Sequence, residues 1–225
     1  MKFHLDKRLW TEDDFEQMGW HDCRIYQIRI AGNELELDID YILKWNQLIN
    51  QAVSFTFWIS PATLVFDGLS DTKLHLDMSV YAEIEIAEIH KHSTVQGICW
   101  HIETNQGSIE FVARGYKQYI RQEPFLQFSQ VILLDERNGT CLDRTIEQQN
   151  PFRTSPEMMA RRKNQEQAFQ IANSRYQEKL NLEKLLTNRA SLGIDTKNFL
   201  QEKRKLEGLL EHYAILLKGT LFENQ

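Results

Sequence analysis

The chain has 225 residues, with 26 Lys and Arg against 32 Asp and Glu and a formal net charge of −6. Its 42% hydrophobic and 11% aromatic content exclude a disordered chain. The charge is uneven: residues 1–150 carry 13 basic and 23 acidic side chains, residues 151–225 carry 13 and 9, so an acidic body precedes a basic end.

Cys23, Cys99 and Cys141 are far apart and show no Cys-x-x-Cys spacing, and the start MKFHLDKRLW lacks an apolar signal core. A reducing, cytoplasmic setting is therefore expected. The uncharged run from Trp45 to Phe66 contains Asn46, Gln47, Asn50, Gln51 and Pro61, too polar a set for a membrane span.

Thr11 and Asp14 have capping-box spacing, with Trp10 and Phe15 as a staple, which predicts a short helix to Met18 stopped by Gly19. Next comes the best-patterned stretch of the chain. Tyr26, Ile28 and Ile30 alternate with polar residues, and Leu35, Leu37, Ile39 and Tyr41 alternate with Glu36, Asp38 and Asp40. Period two predicts two half-buried strands, and a type II′ turn at Gly32-Asn33 sets Ile30 against Leu35, Ile28 against Leu37, Tyr26 against Ile39 and Arg29 against Glu36. In that register His21, Cys23, Asp38 and Asp40 share the polar face, and Asp40 lies opposite Ile25. His21 is then about 13 Å from Asp40, too far for a dyad.

Val53 to Ile59 and Leu64 to Phe66 read as two strands or one strand broken at Pro61. Further alternation follows at Leu74 to Met78 and Ile84 to Ile89. A second hairpin turns at Asn105-Gln106, with Ile98, Trp100 and Ile102 facing Ala113, Phe111 and Ile109, and His101 facing Glu110. Leu126 to Leu134 reads as a last strand. The stretch 135–154 is polar and unpatterned and reads as a linker. Ser155 and Pro156 then open a helix to about Ala190, Gly193 ends it, and Asp195 caps a second helix to Leu217.

The expected fold class is α+β: a mainly antiparallel β-sandwich or open barrel over residues 1–134, a linker at 135–154 and a C-terminal α-helical hairpin over 155–225. The first helix outruns the second by about 20 Å. That overhang carries Met158, Met159, Arg161, Arg162 and Lys163, a composition suited to docking.

No catalytic constellation emerges. His90 and His92 share a strand face, but two donors without a third make no metal site, and neither metal nor cofactor is expected. Gly115 to Arg121 interleaves Tyr116 and Tyr119 with Lys117 and Arg121, the composition of a single-stranded nucleic-acid platform, although the acidic body opposes such binding. Residues Trp20-His21-Asp22, Leu37 to Ile42 and Pro61 to Phe66 resemble stretches of uncharacterised small bacterial β-rich proteins of the immunity or interaction-domain kind, over about residues 10–130. The resemblance transfers no catalytic residue.

The chain is thus expected to be a non-enzymatic protein-binding module, in which Trp20, His21, Asp22, Asp38, Asp40, Tyr116 and Arg121 form a recognition surface. The helical hairpin would serve self-association or contact with a protein partner, and neither nucleic acid nor membrane is expected to bind. One specific form is an immunity-type role, an acidic face blocking a basic toxin or nuclease. The competing expectations are a hydrolase built on His21, Asp22, Asp40 and Arg121, and a nucleic-acid binder using the basic C-terminal helices.

Overall fold

The structure, a computed structural model, describes residues 3–79, 83–95, 97–192 and 196–225. Its contacts divide the chain into two compact units: residues 1–46 with 56–154, and residues 47–55 with 155–225.

The first unit is one antiparallel sheet built from β1 (Leu9–Thr11), β2 (Cys23–Ala31), β3 (Glu34–Gln47), β4 (Phe55–Asp67), β5 (Ser70–Leu76), β6 (Ile84–Thr94), β7 (Gly97–Thr104), β8 (Gly107–Ala113), β9 (Gly115–Ile120) and β10 (Phe125–Gln127). The strands lie in the order β1, β9, β4, β3, β2, β6, β7, β8, β5, with β10 also on β4. The two ends of that order do not pair, so the sheet stays open. The short helix after β1 is a 3-10 helix, Glu12–Gln17, and Asp14 accepts the Thr11 N–H at 2.8 Å as the capping pattern requires.

The second hairpin has the expected register, Ile98↔Ala113, Trp100↔Phe111, His101↔Glu110 and Ile102↔Ile109. The first has it only near its turn. Ile30, Arg29 and Ile28 oppose Leu35, Glu36 and Leu37, and Gly32 takes φ 61° as a II′ turn demands. Beyond that the register shifts: Gln27 pairs with Asp38 and Ile25 with Ile39, leaving Tyr26 as the extra residue of a β-bulge. One extra residue exchanges the faces of everything before it. Cys23 and Ile25 therefore turn into the apolar core, against the expectation that Cys23 is polar-facing, and Tyr26 turns to the acidic side.

Pro61 does not break β4. The strand pairs with β10 up to Ile59 and with β9 from Ala62, so the proline, which has no N–H to give, sits where the strand changes partner. The expected strand to Leu134 is only Phe125–Gln127 long, and the chain after it runs through turns. The core gathers Phe15, Trp20, Phe66, Trp100, Phe111 and Tyr116, whose rings meet mostly edge to face at 4.8–6.4 Å.

The second unit pairs α1 (Pro156–Leu192) with α2 (Thr196–Leu217). The Gly193 stop and Asp195 cap lie outside the described residues. The overhang of α1 is not left bare. After α2 the chain turns at Gly219 and returns along α1, where the tilted rings of Phe222 and Phe169 meet with centroids 5.7 Å apart and Arg175 donates to the carbonyls of Glu223 and Gln225. Residues 50–52 also belong to this unit: the Ala52 N–H donates to Asn173 at 2.8 Å, and Gln177 donates to the Asn50 carbonyl. Among the described residues no helix is long and apolar enough to cross a membrane.

Candidate functional site

Glu34, Glu36, Asp38 and Asp40 occupy alternate positions of β3 and so share one face of the sheet. The sequence suggests a solvated face. The structure buries it: Glu36, Asp38 and Asp40 are at most 2% exposed. The cover is the segment 131–148, expected as a linker after its first few residues, which instead lies across this face as a strap.

The strap descends the acidic row rung by rung. The Ile132 N–H donates to Asp40 Oδ2 at 2.7 Å, and the Tyr26 hydroxyl, turned here by the bulge, donates to the same oxygen at 2.8 Å. Arg137 donates from Nε to Asp40 at 3.1 Å and from Nη1 and Nη2 to the two oxygens of Asp38 at 2.8 and 2.7 Å, with its guanidinium 3.8 Å from the centre of the Tyr26 ring. The Cys141 N–H adds a bond to Asp38 at 2.8 Å. From β9's end, Arg121 donates to Asp38 Oδ1 at 2.7 Å, to Thr63 at 2.8 Å and to the Cys141 carbonyl. Farther out, Arg144 bridges Glu34 and Glu36, and Arg29 holds Glu36 from across the hairpin.

Two fully buried carboxylates thus meet two fully buried guanidiniums, and the charge balances. Burial raises the Asp40 carboxyl above its ordinary value, opposed by Arg137, the Ile132 N–H and Tyr26. Burial also works against the Arg137 charge, but its bond to Asp38 and the fields of both aspartates outweigh that and hold the guanidinium above its ordinary range. Burial pushes the Cys23 thiol up to about 12, which makes it an unreactive core residue. Every oxygen of Asp38 and Asp40 is occupied by the protein's own donors, so the cluster is a clamp that fixes the strap.

The bond from Arg29 holds the Glu36 carboxyl below its ordinary 4.5; burial opposes it, and Arg144 adds to the lowering. A depressed carboxyl stabilises the fold above its unfolded value and loses that contribution as pH falls through its folded value. The urea midpoint of the β unit should therefore fall as pH drops below about 4.5, and Glu36→Gln should make that fall shallower. All five tryptophans lie in this unit, so their fluorescence reads it alone. An unchanged pH slope in the variant would remove Glu36 from the account.

The other expected site residues scatter. Trp20 is a core residue whose indole N–H donates to buried Gln118 at 2.7 Å. His21 is exposed beside Trp45, its Nδ1 2.9 Å from the Ala87 carbonyl; Asp22, at φ 61°, accepts from Gln130 at 2.6 Å. Neither belongs to the cluster, so the hydrolase constellation is not assembled. Tyr116 is 3% exposed and Arg121 wholly buried, which takes both out of any nucleic-acid platform. Met158 is buried while Met159 is exposed, and Arg161 lines a groove with Gly219, Leu221 and Phe222.

Sequence reasoning missed Arg137, Arg144 and the outward face of Tyr26. The signal was present in ELELDID, four acids at alternate positions, with arginines at 121, 137 and 144 to match. Among the described residues no three His, Cys, Asp or Glu side chains surround a common point as a metal site would need. No family model, no curated protein and no solved structure matches this chain.

Proposed function

We propose that the chain is a non-enzymatic protein-binding module, in which the strapped β unit is a rigid scaffold and the helical unit makes contact with a second copy of the chain. The observation that carries this reading is the apolar surface of α2. Phe199, Leu206 and Leu217 face into the unit, yet Ile215 is 73% exposed and Leu200 and Leu216 are exposed beside polar residues. Ile215 and Leu216 are adjacent on the exposed side of α2, next to Glu211 and His212, and Leu216 extends the line of half-buried Leu209, so the two form a small apolar patch that a like helix can cover. Contiguous exposed apolar surface marks contact sites, and Ile215 with Leu216 is the contiguous pair on this helix. An immunity-type role, with a basic protein as partner, is the specific form favoured by 23 acidic against 13 basic side chains in residues 1–150.

Sedimentation equilibrium of the full chain tests the reading. Self-association at micromolar concentration, abolished by Ile215→Lys with Leu216→Lys and unaffected by Met159→Lys, is the expected result. A monomer at all accessible concentrations would exclude it.

A further inference from the structure

Three of the seven histidines are brought together on the outside of the sheet. In the β6–β7 ladder His90 stands opposite His101 and His92 opposite Cys99, with unbroken register from Glu88 to Thr94. The intervening rung, Lys91 and Trp100, points the other way, and Trp100 is fully buried. His90, His92, Cys99 and His101 therefore share the outer face.

The His90 and His101 rings have centroids 6.3 Å apart at 32°. Each has a carboxylate at hand: Glu88 lies 3.7 Å from His90 Nε2, and Glu110 lies 3.4 Å from His101 Nδ1. Two imidazoles bound to one ion at about 2.1 Å have centroids no more than about 6.5 Å apart, and closer when the angle at the metal is tetrahedral. The pair stands at the edge of that limit. Both side chains are partly exposed, 51% and 36%, so each can turn about its own bonds while the paired backbone stays fixed.

We infer that this outer face of β6 and β7 is a binding site for a divalent transition-metal ion of the zinc class, chelated by His90 and His101. Glu88 and Glu110 supply the negative field and hold the rings until the ion arrives. The His92–Cys99 rung, about 6.7 Å along the strands, offers the borderline-soft nitrogen and sulfur donors from which a coordination sphere is completed. The rings must turn off their carboxylates to meet, since no three donors yet surround one point among the described residues. The sequence alone shows only His90 and His92; the strand pairing adds the other two.

Calorimetric titration of zinc into the untagged full chain is the test. About one equivalent is expected to bind, and each of His90→Ala and His101→Ala is expected to weaken it at least about tenfold, while His4→Ala, a control for loose binding to exposed imidazole, leaves it unchanged. Zinc is also expected to raise the melting temperature of the wild type and of His4→Ala but not of the double variant His90→Ala with His101→Ala. The site is overturned if the wild type takes up no zinc tighter than about 100 µM, or if the double variant binds as the wild type does.

Discussion

Replacing Arg137 by alanine is expected to destabilise the β unit by about 3–5 kcal/mol, the largest loss of any single surface-distant side chain in the clamp. Asp38 would keep Arg121 and the Cys141 N–H, and Asp40 would keep Tyr26 and the Ile132 N–H. One guanidinium would then face two carboxylates, leaving a net buried charge where desolvation is costly. The strap would lose its central anchor at the same step. Because burial already raises Asp40, the variant relieves itself by protonating that carboxyl, so its deficit should shrink as the pH is lowered. Arg144→Ala is the comparison: its side chain is 39% exposed, and its loss should cost about 1 kcal/mol or less. Urea unfolding followed by tryptophan fluorescence measures both. Equal losses in the two variants would mean that the inner cluster is no more than a surface pair in its energetics. Combining Arg137→Ala with Asp40→Asn should cost less than the two losses added, since each alone unbalances the same buried charge.

That cluster shows what the sequence could and could not reveal. Both tight hairpins were legible because their apolar sets are local and period two fixes which residues oppose each other near a turn. The helical pair was legible from the Ser155 cap, whose hydroxyl accepts the Met158 N–H, and from apolar spacing. The bulge at Tyr26 was not, since one extra residue leaves the alternation on either side intact while exchanging the faces beyond it. Nor was the strap. Alternating acids on β3 look the same whether water or arginine answers them, and Arg137 lies 99 residues from Asp38. Tyr116 to Arg121 failed for a related reason: alternation shows that a strand has two faces but not which one turns inward, and here Tyr116, Gln118 and Ile120 all do. The overhang of α1 was inferred correctly from helix lengths, but the return of Phe222 onto Phe169 rests on a turn at Gly219 that carries no periodic signal.

Gly107→Ala should be the most damaging of the glycine substitutions, with an expected loss of about 3 kcal/mol or more from backbone strain and overlap together. Gly107 closes the β7–β8 hairpin opposite Thr104 and at the same time pairs with Leu76 of β5. Its φ of 132° is open to glycine and strained for any other residue. A Cβ there would also fall 1.9 Å from the His75 carbonyl oxygen, and that neighbour is backbone, so no side-chain rotation can clear it. Either the hairpin must twist or β5 must leave the sheet. Since β5 ends the strand order and, among the described residues, pairs with β8 alone, its detachment is the cheaper route. Gly32→Ala separates the two causes: φ is 61°, but nothing lies within 4 Å of the added carbon, so only the conformational cost of about 1 kcal/mol should appear. Hydrogen exchange distinguishes the outcomes directly. In Gly107→Ala the β5 amides that are protected in the wild type should exchange much faster while those of β3 and β4 stay protected; in Gly32→Ala β5 should be unaffected. If the two variants melt together with β5 protected in both, β5 does not pack against Gly107 as the register places it.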